Sequence, residues 1–106
     1  MRLVILESPY AGDVARHVAY ARLALRDCLL RGEAPIASHL LYTQPGVLDD
    51  NIPEERTHGI DAGLAWGRVA DATVVYTDLG ITIGMSYGIA AAEQAGRPVE
   101  RRSIFT

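Results

Sequence analysis

Thr73-Val-Val-Tyr-Thr-Asp78 runs through Leu79-Gly-Ile-Thr-Ile-Gly84 into Met85-Ser-Tyr-Gly-Ile-Ala-Ala-Ala92. β-Branched and aromatic residues favour a buried strand, the glycines bound a loop, and the small residues that follow favour a helix. Asp78 stands at the end of the strand, and Thr82 and Gly84 stand where the helix begins. A helix start offers unpaired backbone N–H groups and the positive end of a dipole, so it suits an anionic ligand. This loop is the first choice for the floor of a small-molecule site. The plainer alternative is a strand-to-helix turn whose glycines serve geometry alone.

The remaining segments repeat the same alternation. Arg2 to Glu7 is a short aliphatic run closed by Ser8-Pro9, as in a strand covered on both faces. Asp13 is placed to cap a helix in which Val14, Val18, Ala21, Leu25 and Cys28 form one apolar stripe ending at Gly32. Ala34-Pro-Ile-Ala37 reads as a second strand, with Pro35 at its start or on an edge. The connection from Ser38 to Asp50 is long for so small a domain, which favours a functional loop; Leu40, Leu41 and Tyr42 argue against disorder. Asp49-Asp-Asn-Ile-Pro-Glu-Glu55 then gathers a cap residue, an early proline and acidic first-turn residues.

The helix that follows carries Gly59, Gly63 and Gly67 beside Ile60 and Leu64. Each interior glycine costs up to about 1 kcal/mol against alanine, so close approach of this face to a sheet or a second subunit is expected. Trp66 lies off the stripe, as a core-edge residue or an interface anchor. Thr73–Thr77 is the third strand, Gly84–Ala95 the third helix, and Pro98–Ile104 a last edge strand. Arg97, Arg101 and Arg102 read as a solvated strand end. The order β-α-β-α-β-α-β implies one α/β domain over residues 1–106. It has three layers around a mostly parallel, four- to five-stranded sheet in the flavodoxin-like order 2-1-3-4. Ligands bind such folds beyond the carboxyl ends of the strands, where Ser8–Asp13, Ser38–Asp50 and Asp78–Gly84 would gather.

Composition narrows the function classes. Forty-nine per cent of residues are hydrophobic and 22% are charged, as in a soluble globular chain. A net charge of −3 disfavours nucleic-acid binding through a basic field. Cys28 is the single cysteine, so internal disulfides and multi-cysteine metal sites are excluded. Its place on the apolar stripe makes it a core residue rather than a nucleophile. The opening aliphatic run is too short for a signal peptide or a membrane span, so a cytoplasmic, soluble protein without membrane partners is expected.

Several groups have the chemistry of a site. Ser8, Tyr10, Gly12 and Asp13 offer hydroxyls, a permissive glycine and a carboxylate for a ribose or phosphate, or else form a simple capped loop. The phosphate-cradle patterns GxGxxG and GxxxxGK[ST] are absent, which disfavours a dinucleotide enzyme or an ATPase. His39 follows a strand and neighbours Ser38, and it could contact a ligand or move a proton. His17 and His58 lie on other helices, so no metal is expected. No Gly-x-Ser-x-Gly elbow supports a serine triad. Asp49, Asp50, Glu54 and Glu55 complete a helix start or, less simply, supply an acid–base pair.

On three of these pieces the chain resembles the nucleoside 2-deoxyribosyltransferase-like superfamily. They are Ser8-Pro-Tyr-Ala-Gly-Asp13, Asp71-Ala-Thr-Val-Val-Tyr-Thr-Asp78, and Gly84-Met-Ser-Tyr-Gly-Ile-Ala-Ala-Ala-Glu-Gln-Ala-Gly-Arg-Pro98. With Ser38-His-Leu-Leu-Tyr-Thr-Gln-Pro-Gly46 they look closest to a small phage and actinobacterial branch of that fold. The resemblance implies cleavage of the N-glycosidic bond of deoxynucleosides or their 5′-monophosphates. The nucleophile is then a glutamate in a pattern like Gly-x-x-Tyr-Glu-Ile-Gly-x-Ala. Tyr87 matches the tyrosine and Gly88 falls on the glutamate, and Glu93 lies roughly 140° further round the helix at 3.6 residues per turn.

The resemblance therefore implies a retained pocket with the usual nucleophile lost. Ser8, Tyr10, Gly12, Asp13, Asp78, Thr82, Gly84 and Ser86 would bind a nucleoside, nucleotide or related phosphorylated molecule. If there is turnover, Asp78, Glu93, or the Asp49, Asp50 and Glu55 group would supply the acid with His39 assisting. A non-catalytic dimeric sequestering protein is the remaining alternative. No cofactor is implied, and a homodimer is expected from the family.

Overall fold

The computed structural model describes residues 1–105. Its strands are β1 (Arg2–Glu7), β2 (Glu33–Ile36), β3 (Ala72–Tyr76) and β4 (Val99–Arg102). All the strand pairs among the described residues are parallel, and the sheet order is β2-β1-β3-β4. The two central strands are the two apolar runs, since only a strand flanked and covered on every side can be hydrophobic throughout. Every residue of β3 is buried. Pro35, which has no N–H to donate to a ladder, lies on the edge strand β2.

Helix α1 (Val14–Leu30) covers one face, and α4 (Ile83–Gln94) lies on the other. Because side chains alternate along a strand, Val4 and Leu6 of β1 pack with Tyr20, Ala24 and Cys28 of α1. Val75 of β3 faces the other way, against Met85 and Ile89 of α4. Asp13 caps α1 through a bond accepted from the Arg16 N–H (3.3 Å), and Gly32 takes φ +78° beyond its end. The buried stripe of α1 is Tyr20, Ala21, Ala24 and Cys28; Ala21 and Cys28 are members of the expected stripe, and Leu25 packs against the same core while Val18 is half-buried. Val14 sits in the first turn, largely exposed. Ala21 and Ala24 instead let the helix approach the sheet, and Tyr20 turns inward because its hydroxyl donates to Asp78 (2.5 Å).

The connection after β2 begins with one helical turn, α2 (Ser38–Leu41), and then leads to α3 (Pro53–Ala65). Ile52 caps α3 without a side-chain bond, and Asp49 instead accepts from the Asn51 N–H (2.9 Å) in the turn before it. No residue of α3 is buried. Its glycine face meets the connection after β2 rather than the sheet. A Cβ on Gly63 would collide with the Ser38 side chain, one on Gly59 would press Leu48, and one on Gly67 would press Arg97. Gly59 and Gly63 therefore seat α3 on the connection after β2 and leave it standing off the sheet.

Two polar clusters close the α1 face. Arg102 and Glu33 form a buried two-pronged pair, Nη1 to Oε1 at 2.8 Å and Nη2 to Oε2 at 2.7 Å. The Tyr76 hydroxyl donates to Asp27 (2.6 Å), and Arg102 Nη1 lies 3.3 Å from its oxygen. Arg102 is thus no solvated strand end. Arg97 is engaged as well, donating to the Gly67 carbonyl and the Thr73 hydroxyl.

The second cluster is centred on Asp78, which accepts from Tyr20, Ser103 and the N–H groups of Ile104 and Phe105. Desolvation opposes its ionisation, but these four donors together hold the carboxyl well below the usual carboxylate range. Ser103 and Ile104, expected to prolong the last strand, instead turn with Phe105 onto Asp78 after the end of β3. Among the described residues no helix is long and apolar enough to cross a membrane.

Candidate functional site

Because α3 stands off the sheet, a cleft of about 350 Å³ opens between α3, α4 and the end of β1. Ile5 and Met85 line its depth, and Tyr42, Leu48, Ile60, Leu64 and Tyr87 give it apolar walls. Its polar groups come from the loops at the carboxyl edge of the sheet, as the topology requires. Ser8 and Tyr10 follow β1, Ser38 and His39 belong to α2, and Thr82 and Gly84 open α4. Asp50, Glu55 and Arg56 enter from the α3 side.

Ser8 is buried, and its Oγ lies 2.7 Å from Nε2 of His39. Burial pushes the His39 imidazole down to about 4, so it is neutral at physiological pH. The Tyr10 loop is held by His17, whose Nδ1–H donates to the Tyr10 carbonyl (2.9 Å). Thr82 caps α4 by accepting from the Met85 N–H (3.3 Å), which fixes the helix start against the cleft. Arg56 has no carboxylate partner among the described residues.

The carboxyl of Glu7 also lines the cleft. Glu7 ends β1 and follows Ile5 onto the α4 side of the sheet, where its carboxyl rests against the backbone of Gly88. A Cβ on Gly88 would collide with Oε2 and Cδ of Glu7. Burial pushes Glu7 up to about 8, opposed only by the field of Arg97, and no hydrogen bond holds its charged form.

The structure thus gathers Ser8, Tyr10, His39, Thr82 and Gly84 around one cleft, with Asp50 and Glu55 of the acidic group. Gly12 and Asp49 line a neighbouring depression, with Pro45 and Asn51. Asp13 is spent capping α1, and Asp78 is engaged by Ser103, Ile104 and Phe105. Glu93 is exposed on α4, and Ser86 is exposed with its hydroxyl donating to the Ile83 carbonyl. None of Asp13, Asp78, Glu93 or Ser86 lines the cleft. Glu7 and Arg56 escaped sequence reasoning; the one signal for Glu7 was a charged residue closing an aliphatic strand. No cluster of three or more His, Cys, Asp and Glu suited to a metal occurs among the described residues.

A family model described as "Domain of unknown function (DUF7768)" matches residues 2–102. The chain belongs to the DUF7768 family. Among solved structures, this DUF7768 member is similar to a 2-deoxyribosyltransferase from the psychrotolerant bacterium Bacillus psychrosaccharolyticus. The two share 25% identity with a TM-score of 0.66, over 95% of this chain and 72% of that one. No functionally curated protein matches the DUF7768 chain. The four-stranded parallel sheet in the order 2-1-3-4 is common ground with a deoxyribosyltransferase-like fold.

Proposed function

We propose that the cleft binds a nucleoside, nucleotide or related phosphorylated small molecule. The observation that carries this reading is the pairing of apolar walls with polar loops at the carboxyl edge of a deoxyribosyltransferase-like sheet. Tyr42, Leu48, Ile60, Leu64 and Tyr87 offer surfaces for a base, and Ser8 and Tyr10 offer hydroxyls for a sugar. Arg56 and the Thr82-capped start of α4 supply positive charge and backbone donors for a phosphate. The volume lies within the range of small-molecule sites, roughly 300–1,000 Å³. On the resemblance, Gly88 stands where the family's catalytic glutamate would be, so binding is the primary reading.

Nucleoside 5′-monophosphates present at about a hundred times their dissociation constant are expected to add about 2.7 kcal/mol of stability, read as a raised melting temperature. Arg56→Ala should weaken monophosphates by about tenfold and leave the parent nucleosides unchanged. No binding of either ligand at millimolar concentration would overturn the reading.

The apolar cleft rim supports a homodimer in the same reading. Leu64, Ile83 and Tyr87 are exposed beside the opening, and Trp66 is also exposed while its Nε1–H donates to the Tyr42 hydroxyl (2.9 Å). Sedimentation at twice the protomer mass is expected, and a monomer throughout the micromolar range would remove the dimer.

A further inference from the structure

Most buried ionisable groups of the chain are neutralised by neighbours. Glu33 and Arg102 pair with one another, Tyr76 reaches Asp27, and Asp78 is saturated by donors. Glu7 is different, because its carboxyl accepts no hydrogen bond from the described residues and borders the cleft. Glu7 is half-buried, with its carboxyl packed against Gly88 and open to the cleft rather than tied to a neighbour, and a carboxyl left free at a cleft wall points to use.

We propose that Glu7 is the catalytic carboxyl of an N-glycoside-cleaving site, delivered from the end of β1 into the space that Gly88 leaves open. The inference rests on the nucleoside-binding reading of the same cleft and adds turnover to it. A side chain at position 88 would occupy the volume that the Glu7 carboxyl fills. The charged and titratable groups around it are Arg97 beyond α4, His39 on α2, Asp50 before α3, and Glu55 and Arg56 on α3. Tyr10 and Tyr87 complete the set.

With a pKa near 8 the carboxyl carries its proton at neutral pH, which suits a general acid. The Glu7 O–H protonates a basic nitrogen or carbonyl oxygen of the leaving base while the C1′–N bond breaks. The base departs with the bonding electron pair. Water adds its oxygen to C1′ of the resulting oxocarbenium ion, and the proton that water loses restores Glu7. The net change is nucleoside plus water to free base plus sugar, with no oxidant or reductant.

The test follows base release from 2′-deoxynucleosides and their 5′-monophosphates by wild type and Glu7→Gln, with ligand binding measured on the same samples. Wild type should release base, at a rate that falls as pH rises through about 8. Glu7→Gln should bind within a few-fold of wild type and lose about 10²- to 10⁴-fold in rate. A 2-deoxyriboside of 4-nitrophenol, whose phenolate leaves without a proton, should be cleaved by Glu7→Gln at close to the wild-type rate. Binding without base release by wild type, an unimpaired Glu7→Gln, or no rescue with the nitrophenolate would each overturn the inference while nucleoside binding stood. Absence of binding by wild type would overturn both.

Discussion

Glu7→Gln is expected to stabilise the protein by about 5 kcal/mol at pH 9 and by almost nothing at pH 4, at about 1.4 kcal/mol per pK unit. The folded protein holds the Glu7 proton up to about pH 8, whereas the unfolded chain releases it near 4.5. Below 4.5 both states are protonated and the group contributes nothing. Between 4.5 and 8 only the unfolded state has ionised, so stability falls steadily as pH rises. Above 8 both are ionised and the full cost remains. Glutamine keeps the shape and removes the titration. Chemical denaturation of both proteins across pH 4–9 checks it, and parallel curves would show that Glu7 is not shielded. A gain in stability on deleting a buried charge is what a site kept for chemistry rather than for folding would give.

The second large effect has the opposite sign. Glu33→Ala is expected to cost about 3 kcal/mol, because it takes the two-pronged partner from the buried Arg102 guanidinium and leaves it only the more exposed Glu100 (3.1 Å). Arg102 and Glu33 side chains are only 6% and 9% exposed, so water cannot replace the lost carboxylate. Arg2 reaches Glu33 as well (3.0 Å), so the deletion breaks a second, more exposed contact. Replacing Glu33 and Arg102 together with leucine and methionine should recover most of the loss, since two removed charges leave no orphan. Urea titration of the single and double variants is the measurement; equal losses in both would mean that the ion pair is not the cause.

The Arg102 hydrogen bonds hold the Glu33 carboxyl below its ordinary range. Its stabilisation is therefore present above 4.5 and fades as pH falls further. Combined with the slope from Glu7, this sets the pH of greatest stability on the acid side of neutrality.

The fold was legible because its strongest signals are local and periodic. Leu3–Leu6 and Thr73–Tyr76 carry their strand identity in every residue, and Pro35 and Gly32 mark an edge and a helix end by backbone chemistry alone. The site was half legible. Ser8, His39 and Thr82 follow or precede regular elements at the carboxyl edge, so topology brings them together. Arg102 and Asp78 were misjudged in character because their partners, Glu33 and residues 103–105, are distant in sequence. Glu7 showed only as a charge closing an aliphatic strand, for a related reason: its environment is made by the missing side chain of Gly88 on another element.

That shared volume makes residues 7 and 88 one packing unit rather than two independent positions. A side chain can be supplied from the strand or from the helix, but not from both at full length. Substitutions at the two positions will not add: any L-residue at 88 is harmful beside glutamate and tolerable beside a small residue at 7. A chain of this fold that acquires a side chain at 88 must shorten residue 7 in the same step or pass through a strained intermediate.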